Sequence, residues 1–404
     1  MMREVCITGL GSICGLGPTV SDYWSTLTAG KSAIRPLTDV NPGVKIKVGA
    51  TAADFQADQY FGPNELPLLD RFSQFAVISA REALTDAGLE NNAAVVGQAA
   101  AIIGTGCGGK QTDEETYQQL YQQGRSRVHP LTIPKGMPSA AASMVSQHLG
   151  IKGPVFSTAS ACASSAHAII QGRMMIQSGL VDVALVGGTD APFTYGLLKA
   201  WEALRVVSSD TCRPFSVDRS GMVLGEGAAM LVLESEEHAR QRGIRVYAEL
   251  AGCGMSSNAG HITRPDVGGI SIAMTRALED ADLAADAVQY INAHGTGTVA
   301  NDVAETEAVH RVFGAHAPSL MLSSTKSMHG HALGASSALE LVATALAIYN
   351  GVVPPTANFS GPGEGCDLDY VPGTAREHRV DAALSNAFAF GGLNAVIALK
   401  AFDS

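Results

Sequence analysis

The sequence predicts an α/β fold built from two similar halves, on two observations. Apolar segments typical of strands run into Gly- or Ala-rich turns and then into helix-like segments, as at residues 155–178. The chain also contains an internal echo, because Ala-Ser-Ser-Ala at 163–166 recurs at 335–338 and the segment 225–234 is echoed by 391–400. Both pairs lie about 170 residues apart, which favours duplication of one α/β unit over chance.

The first half centres on Cys162, in Ser-Thr-Ala-Ser-Ala-Cys-Ala-Ser-Ser-Ala. Residues 155–158 predict a short strand, and residues 163–178 predict a buried helix because they are Ala-rich, lack proline and keep a helical apolar period. A cysteine at this join lies at a helix N-terminus, where unpaired amides and the helix dipole favour the thiolate. The pattern indicates a sulfur nucleophile. Taken alone, Cys162 is also consistent with a structural role as a small buried hydrophobic residue.

Two histidines occur in the same kind of setting. Residues 289–293 predict a strand, and His294 follows in a Gly/Thr-rich turn, where a side chain is exposed at the strand end. His331 stands at the start of another Ala-rich helix, with the cation of Lys326 close to it in sequence. A lone histidine is more often structural, but two histidines and a cysteine in matching turns are hard to explain by packing. Together they indicate a catalytic site.

Composition limits the class of protein. Of the 404 residues 46% are hydrophobic and only 16% charged, so much of the chain must be buried in a core or an interface. The net charge of −11 argues against nonspecific binding to nucleic acid, which needs a basic surface. No apolar run reaches the roughly 20 residues that span a bilayer, and the first residues predict a strand and not a signal peptide.

The seven cysteines contain no Cys-x-x-Cys pair. They are therefore predicted to be reduced, with neither a zinc site nor a disulfide framework, as in a cytoplasmic protein. The chain also lacks a phosphate-binding Gly-x-x-x-x-Gly-Lys loop and a convincing dinucleotide-binding fingerprint. No nucleotide, flavin or catalytic metal is expected.

Four motifs in order carry a resemblance to a known family. They are Cys162 in its Ala/Ser-rich turn, His294 in Asn-Ala-His-Gly-Thr-Gly-Thr, Lys326 with His331 in Ser-Thr-Lys-Ser-Met-His-Gly-His, and Phe388-Ala-Phe-Gly-Gly-Leu-Asn394. Over essentially the whole chain this arrangement resembles the β-ketoacyl-acyl carrier protein synthases of the Cys-His-His class. The resemblance implies a thiolase fold, two duplicated α/β halves in a five-layered αβαβα arrangement. With the internal echo as a guide, we expect an N-terminal half at 1–250 and a C-terminal half at 251–404.

The resemblance also implies roles for these residues. Cys162 would carry an acyl chain, and His294 and His331 would donate hydrogen bonds to the enolate formed when malonyl-acyl carrier protein loses carbon dioxide. Lys326 would help to keep both histidines neutral. The condensation oxyanion would lie between the backbone amides of Cys162 and Phe390, with Gly391 and Gly392 allowing close approach. The only cofactor chemistry implied is the phosphopantetheine of an acyl carrier protein.

Further residues are implied by the same resemblance. Cys107 and Phe388 are expected in the acyl pocket, and Asn292, Glu340 and Ser385 are candidates for a structural monovalent cation. Lys326 has a purely structural alternative role, paired with Glu340. A local basic patch is expected to dock the acidic carrier protein, from Arg71, Arg125, Arg127, Lys135 and Arg205.

Departures from the usual family pattern favour a specialised pathway, such as one making an aryl polyene or another highly unsaturated chain. Leu393 replaces a common threonine, His-Gly-Thr-Gly-Thr is more polyketide-like, and Cys107 stands where an apolar residue is common. A condensing enzyme of fatty acid type and a specialised ketosynthase both stay open, as a homodimer or as a heterodimer with a chain-length-factor-like subunit. A non-catalytic chain-length factor is disfavoured because Cys162, His294 and His331 are all present. A degradative thiolase would need a second cysteine in the C-terminal turn.

Overall fold

The computed structural model describes residues 2–38 and 41–403. The strands in this part of the chain are β1 (Val5–Cys14), β2 (Arg35–Pro36), β3 (Val48–Gly49), β4 (Ala100–Gly104), β5 (Val155–Thr158), β6 (Val183–Asp190), β7 (Gly227–Ser235), β8 (Ala248–Ser257), β9 (Tyr290–Asn292), β10 (Met321–Ser323), β11 (Val352–Val353), β12 (Arg376–Glu377), β13 (Ala382–Ala389) and β14 (Leu393–Lys400). The helices are α1 (Val20–Thr28), α2 (Arg71–Asp86), α3 (Ala93–Gln98), α4 (Lys110–Tyr117), α5 (Thr132–Gly136), α6 (Ala140–Leu149), α7 (Ser164–Gln177), α8 (Tyr195–Leu204), α9 (Glu236–Arg242), α10 (Val267–Asp280), α11 (Val299–Phe313), α12 (Lys326–His329) and α13 (Ser336–Asn350).

The main sheet consists of two five-stranded halves with the same internal order. The first half runs β5-β4-β6-β7-β1 and the second β10-β9-β13-β14-β8. In each half the first two pairings are parallel and the next two are antiparallel. The halves join where β1 and β8 pair over two residues. This repeated topology confirms the duplicated α/β fold that the internal echo predicted.

Helices fill three further layers. α2 and α6 pack on the first half of the sheet, and α10 and α11 pack on the second half. α7 and α13 lie between the halves, since α7 contacts β4, β6 and β14 while α13 contacts β13 and β7. The result is the five-layered αβαβα arrangement of the thiolase fold.

The two central helices need small residues because a sheet covers them on both sides. At Gly172 on α7, an added Cβ would lie 2.4 Å from Val186 Cγ1, so only glycine permits this approach. The 18-residue segment Leu333–Asn350 is apolar enough by length and composition to cross a membrane, but 89% of it is buried inside the fold. It packs as a core helix.

The elements around the predicted site match the sequence closely. The strand predicted at 155–158 is β5, and the helix predicted at 163–178 is α7. The predicted boundary between the halves, after residue 250, falls within β8, and that division of the chain stays a prediction.

Candidate active site

Cys162 lies in a turn of 3-10 helix (Ala161–Ala163) between β5 and α7. Ala161 has φ +50°, a conformation that is costly for a residue with a Cβ. The residue that corresponds to it in the second half, Leu333, also has φ +50° and precedes α13 in the same way. The strained turn is therefore a feature of both halves.

The thiol of Cys162 is buried, with 7% of the residue exposed. Burial raises its pKa to about 11, although the charge of Lys326 and a hydrogen bond from the Phe390 amide act in the opposite direction. The raised pKa favours the neutral thiol over the thiolate that the sequence predicted, and the protonation state of Cys162 stays a prediction. The helix N-terminus is present, but removing the sulfur from water has the larger effect.

His331 contacts the thiol directly, with Nε2 3.1 Å from Sγ of Cys162. Its other nitrogen, Nδ1, lies 2.8 Å from Ser336 Oγ and accepts the backbone amide of Leu333 at 3.2 Å. Because a peptide amide can only donate, Nδ1 is the unprotonated nitrogen and Nε2 carries the hydrogen. The imidazole therefore presents an N–H group to the cavity beside Cys162.

His294 is held in the same tautomer by a different group. Lys326 Nζ lies 3.3 Å from His294 Nδ1 and donates to the His294 carbonyl at 2.7 Å. An ammonium group can only donate, so Nδ1 accepts and Nε2 carries the hydrogen. The rings of His294 and His331 are nearly perpendicular, with centroids 5.7 Å apart.

Both histidines are neutral in this environment. Burial lowers the pKa of His294 and of His331 well below the usual range, and the charge of Lys326 lowers both further. Each is only 2% exposed, so the expectation that the His294 side chain is exposed at the strand end is wrong. They face an enclosed cavity, where two neutral N–H donors point towards one region.

Lys326 is fully buried and forms an ion pair with Glu340 Oε1. Its three donor hydrogens have three acceptors, namely His294 Nδ1, the His294 carbonyl and Glu340. The Lys326 side chain therefore pairs with Glu340 and contacts His294 at the same time.

The candidate cation ligands lie next to this pair. Asn292 and Ser385 are opposite each other in β9 and β13. Asn292 Oδ1 and Glu340 Oε2 are buried and have no hydrogen-bond partner within the described residues. Oxygen atoms of this kind fit a hard monovalent cation. No cluster of three or more His, Cys, Asp or Glu side chains able to hold a metal occurs in residues 2–38 and 41–403.

A cavity of about 120 Å³ opens onto these groups. Cys162, His294 and His331 line it, together with Phe388 and Phe390. Further lining residues that the sequence analysis did not select are Trp201, Met222, Arg264, Thr296 and Thr298. The two threonines stood in the quoted His-Gly-Thr-Gly-Thr motif and could have been chosen from it. Nothing in the local sequence pointed to Trp201, Met222 or Arg264.

The turn after β13 supplies the second predicted oxyanion donor. Gly391 and Gly392 have φ +85° and +70°, so the turn needs glycine at both positions. This geometry aims the Phe390 amide at the Cys162 sulfur. The Phe390 ring stacks on Trp201 at a centroid distance of 6.2 Å.

Cys107 does not line this cavity. It packs at the edge of an apolar cluster that includes Leu198, Leu224 and Leu333. The cluster adjoins the cavity through Trp201 and Met222, which belong to both. Of the two predicted pocket residues, Phe388 faces the cavity and Cys107 lies behind its wall.

The five predicted docking residues differ in how far their side chains are bound within the protein. Arg71 is bound internally, by Glu226 at 2.7 Å and between the rings of Phe55 and Phe75. The Nε and Nη2 groups of Arg71 are bonded internally, to Glu226 and to the Ala52 carbonyl, and a docking role for Arg71 stays a prediction. The side chains of the other four candidates are exposed or half-buried: Arg125, Arg127, Lys135 and Arg205.

The fold and the Cys-His-His cavity define a condensing enzyme of the thiolase fold. Residues 2–239 match the family model described as "Beta-ketoacyl synthase, N-terminal domain", and residues 247–360 match its C-terminal counterpart. The chain belongs to the β-ketoacyl synthase family. It is an acyltransferase that condenses an acyl thioester with a malonyl thioester and releases carbon dioxide.

Known proteins agree with this assignment. Nodulation protein E from Rhizobium sp. (strain N33) is 51% identical, covering 99% of this chain and 100% of that protein. 3-Oxoacyl-[acyl-carrier-protein] synthase 2 from Synechocystis sp. (strain ATCC 27184 / PCC 6803 / Kazusa) is 41% identical and covers 99% of both chains. The solved ishigamide ketosynthase/chain length factor has a TM-score of 0.95 and 34% identity over 100% of both chains.

Proposed function

We propose that Cys162 carries the growing acyl chain in this reaction. The thiol attacks the thioester of an acyl carrier protein, a new C–S bond forms, and the old one breaks. The thiol proton of Cys162 ends on the departing phosphopantetheine sulfur. The raised pKa of Cys162 supports a direct exchange of this kind, because neither imidazole has a free nitrogen to accept the proton.

His294 and His331 stabilise the next step. When the malonyl thioester loses carbon dioxide, the electron pair of the broken C–C bond moves into an enolate with negative charge on the thioester oxygen. Two Nε2–H groups that line the same cavity are suited to hold that oxygen. The observation that carries the proposal is the locked tautomer of His331, with Nε2 3.1 Å from the cysteine sulfur.

The condensation follows from the same geometry. The enolate carbon attacks the acyl-Cys162 carbonyl, and the oxyanion accepts hydrogen bonds from the backbone amides of Cys162 and Phe390. Collapse of this adduct breaks the C–S bond and frees Cys162 as a thiolate, which takes up a proton. Lys326 acts through His294, which it orients. A cation at Asn292, Glu340 and Ser385 would be structural, since these side chains lie beside the Lys326 pair and not on the reacting atoms.

The carrier protein is the expected partner, and its phosphopantetheine arm is the expected occupant of the cavity mouth. Thr296 and Thr298 line the cavity with hydroxyls 2.8 Å apart, which suits the amides of that arm. Arg125, Arg127, Lys135 and Arg205 are proposed to dock the acidic surface of the carrier protein, and the exposed Arg264 joins them because it lines the cavity itself.

A second subunit is proposed on the outer edge of β5. This strand ends the sheet and leaves one row of backbone donors and acceptors unpaired within the described residues. Exposed apolar side chains occur on the segment before it, with Tyr121 81% and Ile133 76% exposed. The partner is a second copy or a chain-length-factor-like ketosynthase, and the assembly is placed in the cytoplasm without a membrane span.

For the substrate, we propose an unsaturated chain of a specialised pathway over a saturated housekeeping chain. The similarity to Nodulation protein E and to the ishigamide ketosynthase/chain length factor supports a specialised pathway. The aromatic wall of Trp201 and Phe390 supports an unsaturated chain. The alternative is a ketosynthase subunit that is active only with a chain-length-factor partner.

Acyl loading tests these assignments. The protein is incubated with carrier proteins bearing saturated or conjugated polyenoyl chains, and the adduct is located by intact-mass spectrometry and peptide mapping. We expect an adduct on Cys162, preferentially polyenoyl, which Cys162→Ala abolishes and Cys107→Ala retains. Preferential saturated loading would favour fatty acid elongation. No adduct with either chain would contradict autonomous catalysis, and loading restored by a partner subunit would establish the alternative.

A further inference from the structure

Asp190, the last residue of β6, is a fully buried carboxylate that the reaction described above does not use. Its Oδ1 accepts Thr105 Oγ1 at 2.8 Å and the Cys107 amide at 3.0 Å. Its Oδ2 accepts the Gly106 amide at 2.8 Å and the Gly334 amide at 2.6 Å. Four donors converge on one anion and tie a loop of the first half to a turn of the second.

The duplicated fold shows what this position corresponds to. Asp190 ends β6 as Ala389 ends β13, because each is paired with the first residue of the following antiparallel strand. Gly334 stands in the second half where Cys162 stands in the first, in the middle residue of the matching 3-10 turn. The Gly334 amide, which corresponds to the oxyanion donor of Cys162, therefore donates its hydrogen bond to the Asp190 carboxylate.

This bond lies one peptide away from a catalytic histidine. The Leu333 amide donates to His331 Nδ1, and the next amide in the chain, that of Gly334, donates to Asp190. The turn has little freedom, because a Cβ on Gly334 would lie 2.4 Å from the Gly106 nitrogen and 2.7 Å from Asp190 Oδ2. The place of the Leu333 amide, and with it the tautomer of His331, thus depends on Asp190.

We propose that Asp190 is a positioning residue for decarboxylation, which acts by holding the Leu333–Gly334 turn so that His331 presents Nε2–H to the enolate oxygen. This inference rests on the proposed role of His331. Burial raises the pKa of Asp190 to about 6, which leaves the group ionised at neutral pH. An asparagine would keep an oxygen for two of the four donors and turn an NH₂ group towards the other two.

Partial reactions separate positioning from stability. Decarboxylation of malonyl-acyl carrier protein is measured in a Cys162→Gln background, where the glutamine mimics the acylated state, and acyl loading is measured with Cys162 intact. We expect Asp190→Asn to lower decarboxylation about 10- to 100-fold, as loss of a supporting group typically does, while loading stays close to the unsubstituted rate. An equal fall in both reactions would overturn the proposal.

Glu82→Gln is the matched control. Glu82 is a half-buried carboxylate that accepts hydrogen bonds from two backbone amides, those of Ser12 and Val20, and it lies outside the cavity lining. Its substitution should lower the melting temperature without changing the ratio of the two reactions. A ratio altered as much by Glu82→Gln as by Asp190→Asn would count against a specific role for Asp190.

Nitrogen-15 spectra of histidine-labelled protein give a readout that needs no substrate. We expect the His331 signals to show Nε2–H in the unsubstituted protein and a mixture of tautomers in Asp190→Asn. An unchanged tautomer overturns the inference, even if the condensation assignment itself fails. If Asp190→Asn does not fold, Thr105→Val removes one donor and keeps the charge. It must then lower decarboxylation more than loading.

Discussion

The hydroxyls of Ser165 and Ser337 meet at 2.7 Å, although 172 residues separate them in the chain. Each hydroxyl also accepts an amide from the other helix, Ala166 donating to Ser337 and Ala338 donating to Ser165. The exchange is reciprocal, as expected when one duplicated element packs against its copy. It joins the N-termini of α7 and α13 and so fixes the Cys162 turn relative to the His331 turn.

Loss of either hydroxyl should lower the stability of the protein, because each serine serves the other helix. Ser165→Ala leaves Ser337 and the Ala338 amide short of a buried partner, so we expect the free energy of unfolding to fall by about 1–3 kcal/mol. The double variant Ser165→Ala/Ser337→Ala should cost less than the sum of the single variants. Urea unfolding measures all three, with the exposed Ser178→Ala on the same helix expected within about 0.5 kcal/mol of the unsubstituted protein. Strict additivity would contradict the coupling.

The pKa of Cys162 predicts how its reactivity depends on pH. With the pKa raised to about 11, the thiol is the dominant form at neutral pH, and the thiolate fraction rises about tenfold per pH unit below that value. The rate of alkylation of Cys162 by iodoacetamide should therefore keep rising from about pH 7 to about pH 10. Peptide mapping isolates Cys162 from the other cysteines. A plateau near neutral pH would show that the helix N-terminus dominates after all.

Local motifs predicted the duplication and the three residues that the structure brings to one cavity, because both depend on short segments around Cys162, His294 and His331. Local motifs could not show the burial and the contacts that residues far apart in the chain give one another. The raised pKa of the Cys162 thiol could not be predicted because burial of Cys162 depends on packing from both halves. The internal pairing of Arg71 could not be predicted because its partner Glu226 lies 155 residues away. Asp190 escaped notice for the same reason, since its tie to Gly334 spans 144 residues.

The buried pair Lys326–Glu340 should be sensitive to loss of one member. Lys326→Met leaves the Glu340 carboxylate buried without its cation, and we expect a loss of about 3–5 kcal/mol in the free energy of unfolding. Lys326→Met/Glu340→Leu should recover part of that loss, because it removes the orphaned charge. Chemical denaturation measures both. As a control, Lys199→Met breaks the Lys199–Glu202 pair near the surface and should stay close to the unsubstituted stability. A Lys326→Met protein as stable as this control would contradict the buried pairing.

The two histidines should separate the steps of the reaction. His331→Ala removes one of two N–H donors to the enolate, and loss of one such donor typically costs about 100-fold or more in rate. Decarboxylation in the Cys162→Gln background should fall by that amount, whereas acyl loading, in which the proposed mechanism gives His331 no part, should fall much less. His148→Ala, at a half-buried histidine that contacts Arg81 outside the cavity lining, controls for loss of an imidazole. Equal losses of loading and decarboxylation in His331→Ala would instead make His331 a structural support for the Cys162 turn. Since His331 Nε2 lies directly on the sulfur, that outcome would also require a different donor for the enolate.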